Sequence, residues 1–269
     1  MVKKAIIPAA GYGTRSLPVT KVVPKEMFPI GGKPAIHYIV EEAVLSGIEE
    51  ILIVVSKSKS IIVDYFDASL ELEAFLEKNN KLHLLKNTTM PKVHIQYTRQ
   101  PYSKGLGDAI LQGKRFVGNE PFAVLLPDDI IYNAPTPALS QLIRIHDQFN
   151  ANVIGLNKVH PDLVSRYGVI DGDEERTDLY KINHIVEKPK SNAPSNLVVI
   201  GRYVFDPEIF NHIESLTPGA SNEVELTDAI GMLLSNQVCY GKIIDGDRFD
   251  IGTDDDYINL INAMWKDKE

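Results

Sequence analysis

Lys3-Lys4-Ala5-Ile6-Ile7-Pro8-Ala9-Ala10-Gly11-Tyr12-Gly13-Thr14-Arg15 is the stretch on which the fold turns. Lys3 to Pro8 reads as a short buried strand, and Ala9 to Gly13 as a small-residue turn at its end. Working outward, Pro34 opens a helix, as a proline at a first helical position does. Ile36, Ile39, Val40, Ala43 and Val44 follow the spacing of one buried helix face, and Gly47 stops it. Ile51 to Val55 is a continuous apolar run, the kind buried on both faces of a parallel sheet. Weaker helical stretches follow near 58–67 and 69–79. Then come a strand over Val93 to Thr98, a helix over 106–116, a strand over Phe122 to Leu126, a helix over 136–149 and a strand over Asn152 to Leu156. This alternation predicts the α/β class, a Rossmann-like, mostly parallel sheet flanked by helices. Its binding crevice is expected at the carboxyl ends of the strands. The second half is less regular, with strands near 168–171, 180–186, 197–205 and 237–244 and helices near 207–215 and 223–235. No linker, repeat or low-complexity tract divides the chain, so 1–269 is expected to be a single domain with an elaborated second half.

Length and composition agree with that class. The chain has 269 residues, 44% hydrophobic and 24% charged, enough to bury a core unaided by disulfides or structural metals. The single cysteine, Cys239, excludes a disulfide framework and a Cys-rich metal site, and a reducing cytoplasm is the expected compartment. With Lys+Arg 28 and Asp+Glu 36, the net charge of −8 argues against a nucleic-acid partner. No apolar run approaches the roughly 20 residues of a membrane span. The apolar start is too short for a signal peptide. The charge is unevenly spread. Residues 1–33 hold Lys3, Lys4, Arg15, Lys21, Lys25 and Lys33 against Glu26 alone, +6 − 1 = +5. A basic start on an acidic chain suits a small polyanion, although a solvated basic face would look the same.

The motifs favour the polyanion. Gly11-Tyr12-Gly13 is not a dinucleotide fingerprint, because Ser16 holds the third glycine position, and no P-loop occurs. A small-residue turn nonetheless exposes backbone N–H groups that can cradle phosphate oxygens. Arg15 adds a bidentate fork and Lys25 a compact point charge, so the turn with Leu17-Pro18-Val19-Thr20-Lys21 and Pro24-Lys25-Glu26-Met27 reads as a phosphate site. Asp128 stands past an apolar strand and Asp250 past Arg248-Phe249, each placed for the crevice or for a turn. The acidic run from Asp245 to Asp256 fails the EF-hand spacing, with Phe249 at the third ligand position. Asp254 to Asp256 read as a solvated helix start. Gln100 can pair with the imide edge of uracil or, rotated, with cytosine. Gly105 and Gly107 permit backbone to approach a flat base, or form the turn that leads into a helix. The seven histidines lack metal-ligand spacing, His37 reads as structural, and no activated nucleophile is evident.

The segment Ala9 to Met27 resembles the signature of the sugar-1-phosphate nucleotidylyltransferases. The likeness continues through Arg99-Gln100, Lys104-Gly105-Leu106-Gly107, Pro127-Asp128-Asp129, Arg166-Tyr167-Gly168, Glu187-Lys188-Pro189, Leu226-Thr227-Asp228 and Phe249-Asp250-Ile251-Gly252. It looks most like the bacterial branch that joins UTP and glucose-1-phosphate to give UDP-glucose and pyrophosphate. The resemblance implies a nucleotide-binding half over roughly 1–150 and a sugar-phosphate-binding half with C-terminal helices over 151–269. It implies nucleotide contacts from Ala9, Ala10, Gly11, Gly13, Thr14, Arg15, Lys25, Gln100, Gly105 and Asp128. Gly168, Glu187 and Lys188 would take the sugar phosphate, and Asp128 and Asp250 would hold Mg2+. Arg15, Lys25 and Lys188 would act in catalysis by aligning the two anions. A homodimer or homotetramer is implied as well. The alternatives are the same reaction with another base or sugar, for example dTTP or CTP, and a silent nucleotide-sugar sensor. The sensor should lack a cation or metal ligand, and none is missing here. Two departures from the resembled pattern stand out: Asp108 where histidine is usual and Glu225 where glutamine is usual.

Overall fold

In the computed structural model, which describes residues 1–88, 90–217 and 223–266, the opening stretch is strand β1 (Lys4–Ala9). A two-residue ribbon, β2 (Pro29–Ile30) and β3 (Lys33–Pro34), precedes helix α1 (Ala35–Leu45) and strand β4 (Glu50–Val55). Helices α2 (Ser60–Phe66) and α3 (Leu70–Lys78) lead to β5 (His94–Arg99). Helices α4 (Leu106–Leu111) and α5 (Lys114–Val117) lead to β6 (Phe122–Leu125). Then follow β7 (Asp129–Tyr132), α6 (Ala138–Phe149) and β8 (Asn152–Lys158). The rest comprises β9 (Gly168–Arg176), β10 (Leu179–Glu187), β11 (Leu197–Phe205), α7 (Ile209–Ser215), α8 (Leu226–Leu233), β12 (Cys239–Ile243), β13 (Asp247–Asp250) and α9 (Asp254–Lys266).

A nine-stranded sheet runs through both halves in the order β5-β4-β1-β6-β11-β8-β12-β10-β9. Strands β5, β4, β1 and β6 are mutually parallel, the arrangement read from the opening stretch. Strand β11 then enters antiparallel between β6 and β8, while β12 lies parallel to β8 and β10 antiparallel to both β12 and β9. Only β10 and β11 therefore oppose the common direction of this sheet.

The alternation of side chains explains why helices cover both faces. Along β1 and β4, Ala5, Ile7, Ala9, Ile51, Ile53 and Val55 join one core with α1 and α6. Ile6, Leu52 and Val54 join the other, with α4, α7 and α8. A period of two on an apolar strand buries residues on both faces, so neither can be left to water. Leu226, Ile230 and Leu233 of α8 are buried in that second core, and Cys239 is buried beside them in β12.

Two elements differ from the sequence reading. The helix expected over 106–116 breaks at Gln112-Gly113, because a Cβ on Gly113 would lie 2.3 Å from Ile6 Cδ1 and the backbone presses directly on β1. Strands β7 and β13 pair as a separate antiparallel ribbon that places Asp129 opposite Asp250. These segments are short and mixed in polarity, so their pairing has no strong periodic signal. The acidic start of α9, with Asp254, Asp255 and Asp256 in its first turn, matches the expectation. No helix among the described residues is long and apolar enough to cross a membrane.

Candidate active site

The turn after β1 begins the site. Gly13 sits at φ 65°, the left-handed region that favours glycine, and its carbonyl accepts from Thr20 Oγ1 at 2.8 Å and Ser16 N–H at 3.1 Å. This folds the basic segment back and delivers Thr14 and Arg15 to a cleft of about 750 Å³. Thr14, Arg15, Asp128, Gly168, Glu187, Lys188 and Asp250 all line it. Ala9, Ala10, Gly11, Gly13, Lys25, Gln100 and Gly105 are not among the lining residues; Lys25 pairs with the lining Asp128, and Gln100 bonds to Gly105, next to the lining Leu106.

Four charges, two cations and two carboxylates, meet at one end. The Asp250 carboxylate accepts from Arg15 Nη1 at 2.9 Å and from Nη2 at 3.4 Å. Arg15 Nη2 also lies 3.8 Å from Asp128 Oδ2, and Lys25 Nζ is ion-paired with that same oxygen. The chain ties the acids together, because Ile251 N–H donates to the Asp128 carbonyl at 2.9 Å. Gly252 leaves room for Arg15, whose Nη2 would lie 2.5 Å from an added Cβ. Burial pushes the Asp128 carboxyl up, but Lys25 and then Arg15 pull it further down, so it lies below the usual aspartate value. Burial also pulls Lys25 down, and Asp128 and Glu26 more than offset this, leaving it above the usual lysine value.

A second layer of buried charge holds these groups in place. Glu26, the lone acid of the basic segment, is buried with Lys59, whose Nζ donates to both carboxylate oxygens at 2.8 Å. Lys25 is the neighbouring residue, so this pair pins the turn that presents it. Asp129 accepts from Gly201 N–H at 2.7 Å and from Arg248 Nε at 2.7 Å. Arg248 in turn donates from Nη1 to the Tyr167 hydroxyl at 3.0 Å and lies over that ring at 4.9 Å. Burial pushes the Asp129 carboxyl up, Arg248 pulls it down, and Asp128 and Asp250 push it up again, with a net upward direction. Arg202, fully buried in β11, donates from Nε and Nη2 to Glu42 at 2.8 and 2.7 Å, and from Nη2 to the Asp129 carbonyl at 2.8 Å. Sequence reasoning assigned no role to Lys59, Asp129, Arg202 or Arg248. A lone arginine inside the apolar run Leu197 to Phe205 was the available signal.

The other end of the cleft comes from a different part of the sheet. Gly168 opens β9 opposite Glu187 at the end of β10. An added Cβ on Gly168 would lie 2.9 Å from Thr227 Cγ2 and 3.3 Å from Glu187 Oε2. The crevice was expected at carboxyl ends of strands. Residues past the carboxyl ends of β1, β6 and β10 do line it, and this wall adds the start of β9 and mid-β11, where the pairing with β8 shifts register between Val199 and Tyr203. Lys188 has φ 43°, rare for a lysine, held by its N–H donating to the Tyr167 carbonyl at 3.0 Å. Its Nζ lies 2.7 Å from Glu187 Oε1. Burial pulls Lys188 down, and Glu187, Glu225 and Glu223 raise it above the usual lysine value. Thr227 Oγ1 is buried in this wall with no hydrogen-bond partner among the described residues.

Beside the cleft, the turn after β5 is built from Gln100 and the glycine pair. The space a side chain would need at Gly105 and Gly107 is filled by Val224 backbone, 2.7 Å and 2.9 Å from the two added Cβ positions. Gly107 N–H donates to the Val224 carbonyl at 2.8 Å, and Val224 N–H to the Lys104 carbonyl at 2.7 Å. The close approach at this turn is therefore to the chain's own backbone. His37 is structural as expected, with Nδ1 2.8 Å from the Tyr65 hydroxyl and Nε2 3.1 Å from Glu41.

An α/β sheet with paired cations and carboxylates at one end of a cleft and a lysine at the other fits a phosphate-transfer enzyme. The nucleotidyl transferase family profile matches residues 4–267, and the chain belongs to that family of enzymes. It is similar to a putative UTP–glucose-1-phosphate uridylyltransferase of Bacillus subtilis, 56% identical over 99% of this chain and 98% of the relative. It is 50% identical to a UTP–glucose-1-phosphate uridylyltransferase of Staphylococcus epidermidis, over 93% of this chain and 88% of that one. Among solved structures, an apo UDP-glucose pyrophosphorylase superposes with a TM-score of 0.92 at 42% identity, covering 100% of both chains. A UTP-bound enzyme of the same name from Acinetobacter baumannii gives 0.90 at 39% identity, over 98% of this chain and 93% of that chain.

Proposed function

We propose that the chain transfers a uridylyl group from UTP to glucose-1-phosphate, giving UDP-glucose and pyrophosphate, and that the transfer depends on Mg2+. The observation that carries the reading is one cleft with Arg15, Asp128 and Asp250 at one end and Gly168, Glu187 and Lys188 at the other. The names of the relatives supply the base and the sugar.

In this reading the N-terminal half takes the nucleotide. The turn from Ala10 to Gly13 offers backbone N–H groups, and Arg15 and Lys25 exchange their carboxylate partners for triphosphate oxygens. The second half takes the sugar phosphate. Lys188 neutralises its charge, while Glu187 and the unpartnered Thr227 hydroxyl suit sugar hydroxyls. With both anions held, a glucose-1-phosphate oxygen attacks the α-phosphorus in line. A bond forms from that oxygen to phosphorus, and the bond to the pyrophosphate oxygen breaks. No side chain bonds covalently to phosphorus, so the protein contributes alignment and charge.

The residues fit a hard divalent cation. Asp128 and Asp250 both lie within 4 Å of one guanidinium, with Arg15 nitrogens at 3.8 Å and 2.9 Å, so a single cation between them would be shared in the same way. Two carboxylates and no nitrogen or sulfur donor suit Mg2+, which leaves its other positions to phosphate oxygens and water. Bound there, it would neutralise charge developing on the phosphate oxygens.

A pyrophosphate-release assay over a grid of nucleoside triphosphates and sugar-1-phosphates tests the reading. UTP with glucose-1-phosphate should give the highest kcat/KM, and excess chelator should stop turnover. A faster pair, or full turnover in chelator on metal-stripped protein, overturns the corresponding part.

A further inference from the structure

We propose that Asp108 is a positioning residue that fixes the Gln100 side chain as an acceptor toward the base, and so selects a base with a ring N–H on its pairing edge. The proposal rests on the reading of this cleft as a nucleotide site with Gln100 at the base.

Gln100 directly follows β5 and is 4% exposed, with its backbone N–H donating to the Val55 carbonyl at 3.0 Å. Its side-chain Nε2 donates twice, to the Gly105 carbonyl at 3.2 Å and to Asp108 Oδ2 at 2.7 Å. A carbonyl and a carboxylate only accept, so both partners demand the NH2 end of the amide. Turning the amide over would set Oε1 against two acceptors in a buried place. The short contact to a carboxylate makes this orientation the stronger one. Both amide hydrogens are thereby used. Oε1 is left with no donor among the described residues, against a turn whose Leu106 lines the cleft.

By itself, Gln100 serves either pyrimidine, because an amide can present its oxygen or its nitrogen. Asp108, through the shorter and charged of the two contacts, does most to remove that choice. A lone acceptor matches the N3–H of uracil or thymine and opposes the N3 lone pair of cytosine. This is discrimination by a repulsive element as much as by a new attraction. Where histidine stands at this position in the resembled family, the partner can donate as well as accept. The aspartate departure therefore strengthens the imide preference in this chain.

The test compares UTP with CTP in kcat/KM with glucose-1-phosphate, and in calorimetric binding without the sugar, for wild type, Asp108→Asn and Asp108→Ala. The Asp108 backbone carbonyl accepts from Gln112 Nε2 at 3.1 Å, and both variants keep that bond. Asparagine also keeps the volume, and the thermal midpoint reports retained folding. Wild type should prefer UTP. Asp108→Ala should lower the UTP-to-CTP ratio about 10- to 100-fold, the worth of one charge-assisted hydrogen bond, and Asp108→Asn by less, because its amide oxygen can still accept from Gln100 Nε2. The KM for glucose-1-phosphate should hold. A helix-start charge without this role would weaken both nucleotides alike and leave the ratio within about twofold of wild type. That result overturns the proposal while the uridylyl reading stands. A wild type that does not favour UTP overturns both.

Discussion

The two ends of the cleft handle charge in opposite ways. At the proposed nucleotide end both cations, Arg15 and Lys25, already have a carboxylate: Arg15 grips Asp250 and reaches Asp128, and Lys25 holds Asp128. At the proposed sugar end Lys188, 58% exposed at its side chain, is ion-paired with its neighbour Glu187, and Glu225 and Glu223 add to that negative field. The first end is pre-assembled, and in the proposed reading a triphosphate trades places with protein carboxylates. The second end is held by backbone, through a left-handed lysine and a glycine against a threonine methyl. Charge at the first end is therefore shared among largely buried partners, while Lys188 keeps a more exposed and more adjustable pairing.

The largest expected effect lies in the joint between the two halves. Arg202 from β11 is fully buried against Glu42 from α1, and it also holds the Asp129 carbonyl. Glu42→Ala leaves that guanidinium buried without its partner, a loss of about 3–5 kcal/mol. Denaturant unfolding should read this as a lower midpoint. Little change would mean that the halves are joined by packing alone.

At the nucleotide end, Asp128→Asn and Asp250→Asn should lower kcat on the order of 10²–10³-fold, as losses of charge that matters in the transition state do. Binding of UTP in chelator should hold or tighten in Asp128→Asn, because Lys25 no longer has to leave a carboxylate. Weaker binding there would break the picture of an exchange. Next come the two lysines, each worth roughly 10- to 100-fold in kcat/KM as a charge-assisted phosphate contact. Lys25→Ala should weaken UTP binding and leave the response to glucose-1-phosphate unchanged. Lys188→Ala should chiefly raise the KM for glucose-1-phosphate, with calorimetric UTP binding close to wild type. Loss of UTP binding in a folded Lys188→Ala protein would end the division of the cleft into two ends.

The smallest effect serves as a control away from the cleft. His146 Nε2 lies 3.4 Å from Asp206, just past the far end of β11. The hydrogen bond that His146 donates to Asp206 raises its imidazole above the ordinary value, against burial. A raised histidine adds stability that is full below the ordinary value near 6.5 and is lost as pH rises through the raised one. The stability gap between wild type and His146→Phe should therefore be wider at acidic than at alkaline pH, with KM values unmoved. An equal gap at both ends of that range would show that the pair carries no charge.

Much of the molecule is legible in one dimension. The run Ala5 to Ile7, the spacing from Ile36 to Val44 and the run Ile51 to Val55 specify a strand–helix–strand unit, because periodicity is a local property of the chain. The cations Arg15 and Lys25 were legible for the same reason, as a cluster of charge on a small-residue turn. Glycines were legible as turns, but the partner at each was not. Gly105 and Gly107 meet Val224, more than a hundred positions away, and only the folded chain brings that segment there.

The sequence by itself determined the class of sheet, the basic turn and the set of charged residues available for chemistry. Tertiary structure alone decided how those charges are shared. It placed Asp250 beside Arg15 across 235 positions and paired Lys59 with Glu26 across 33. It laid β11 antiparallel between β6 and β8, so that one wall of the cleft takes in the middle of a strand. It also turned Asp108 from an unexplained departure into the partner of Gln100. The physical reason is that Coulomb energy and hydrogen bonding depend on distance in space and on burial, and a linear chain specifies neither until its apolar faces have packed.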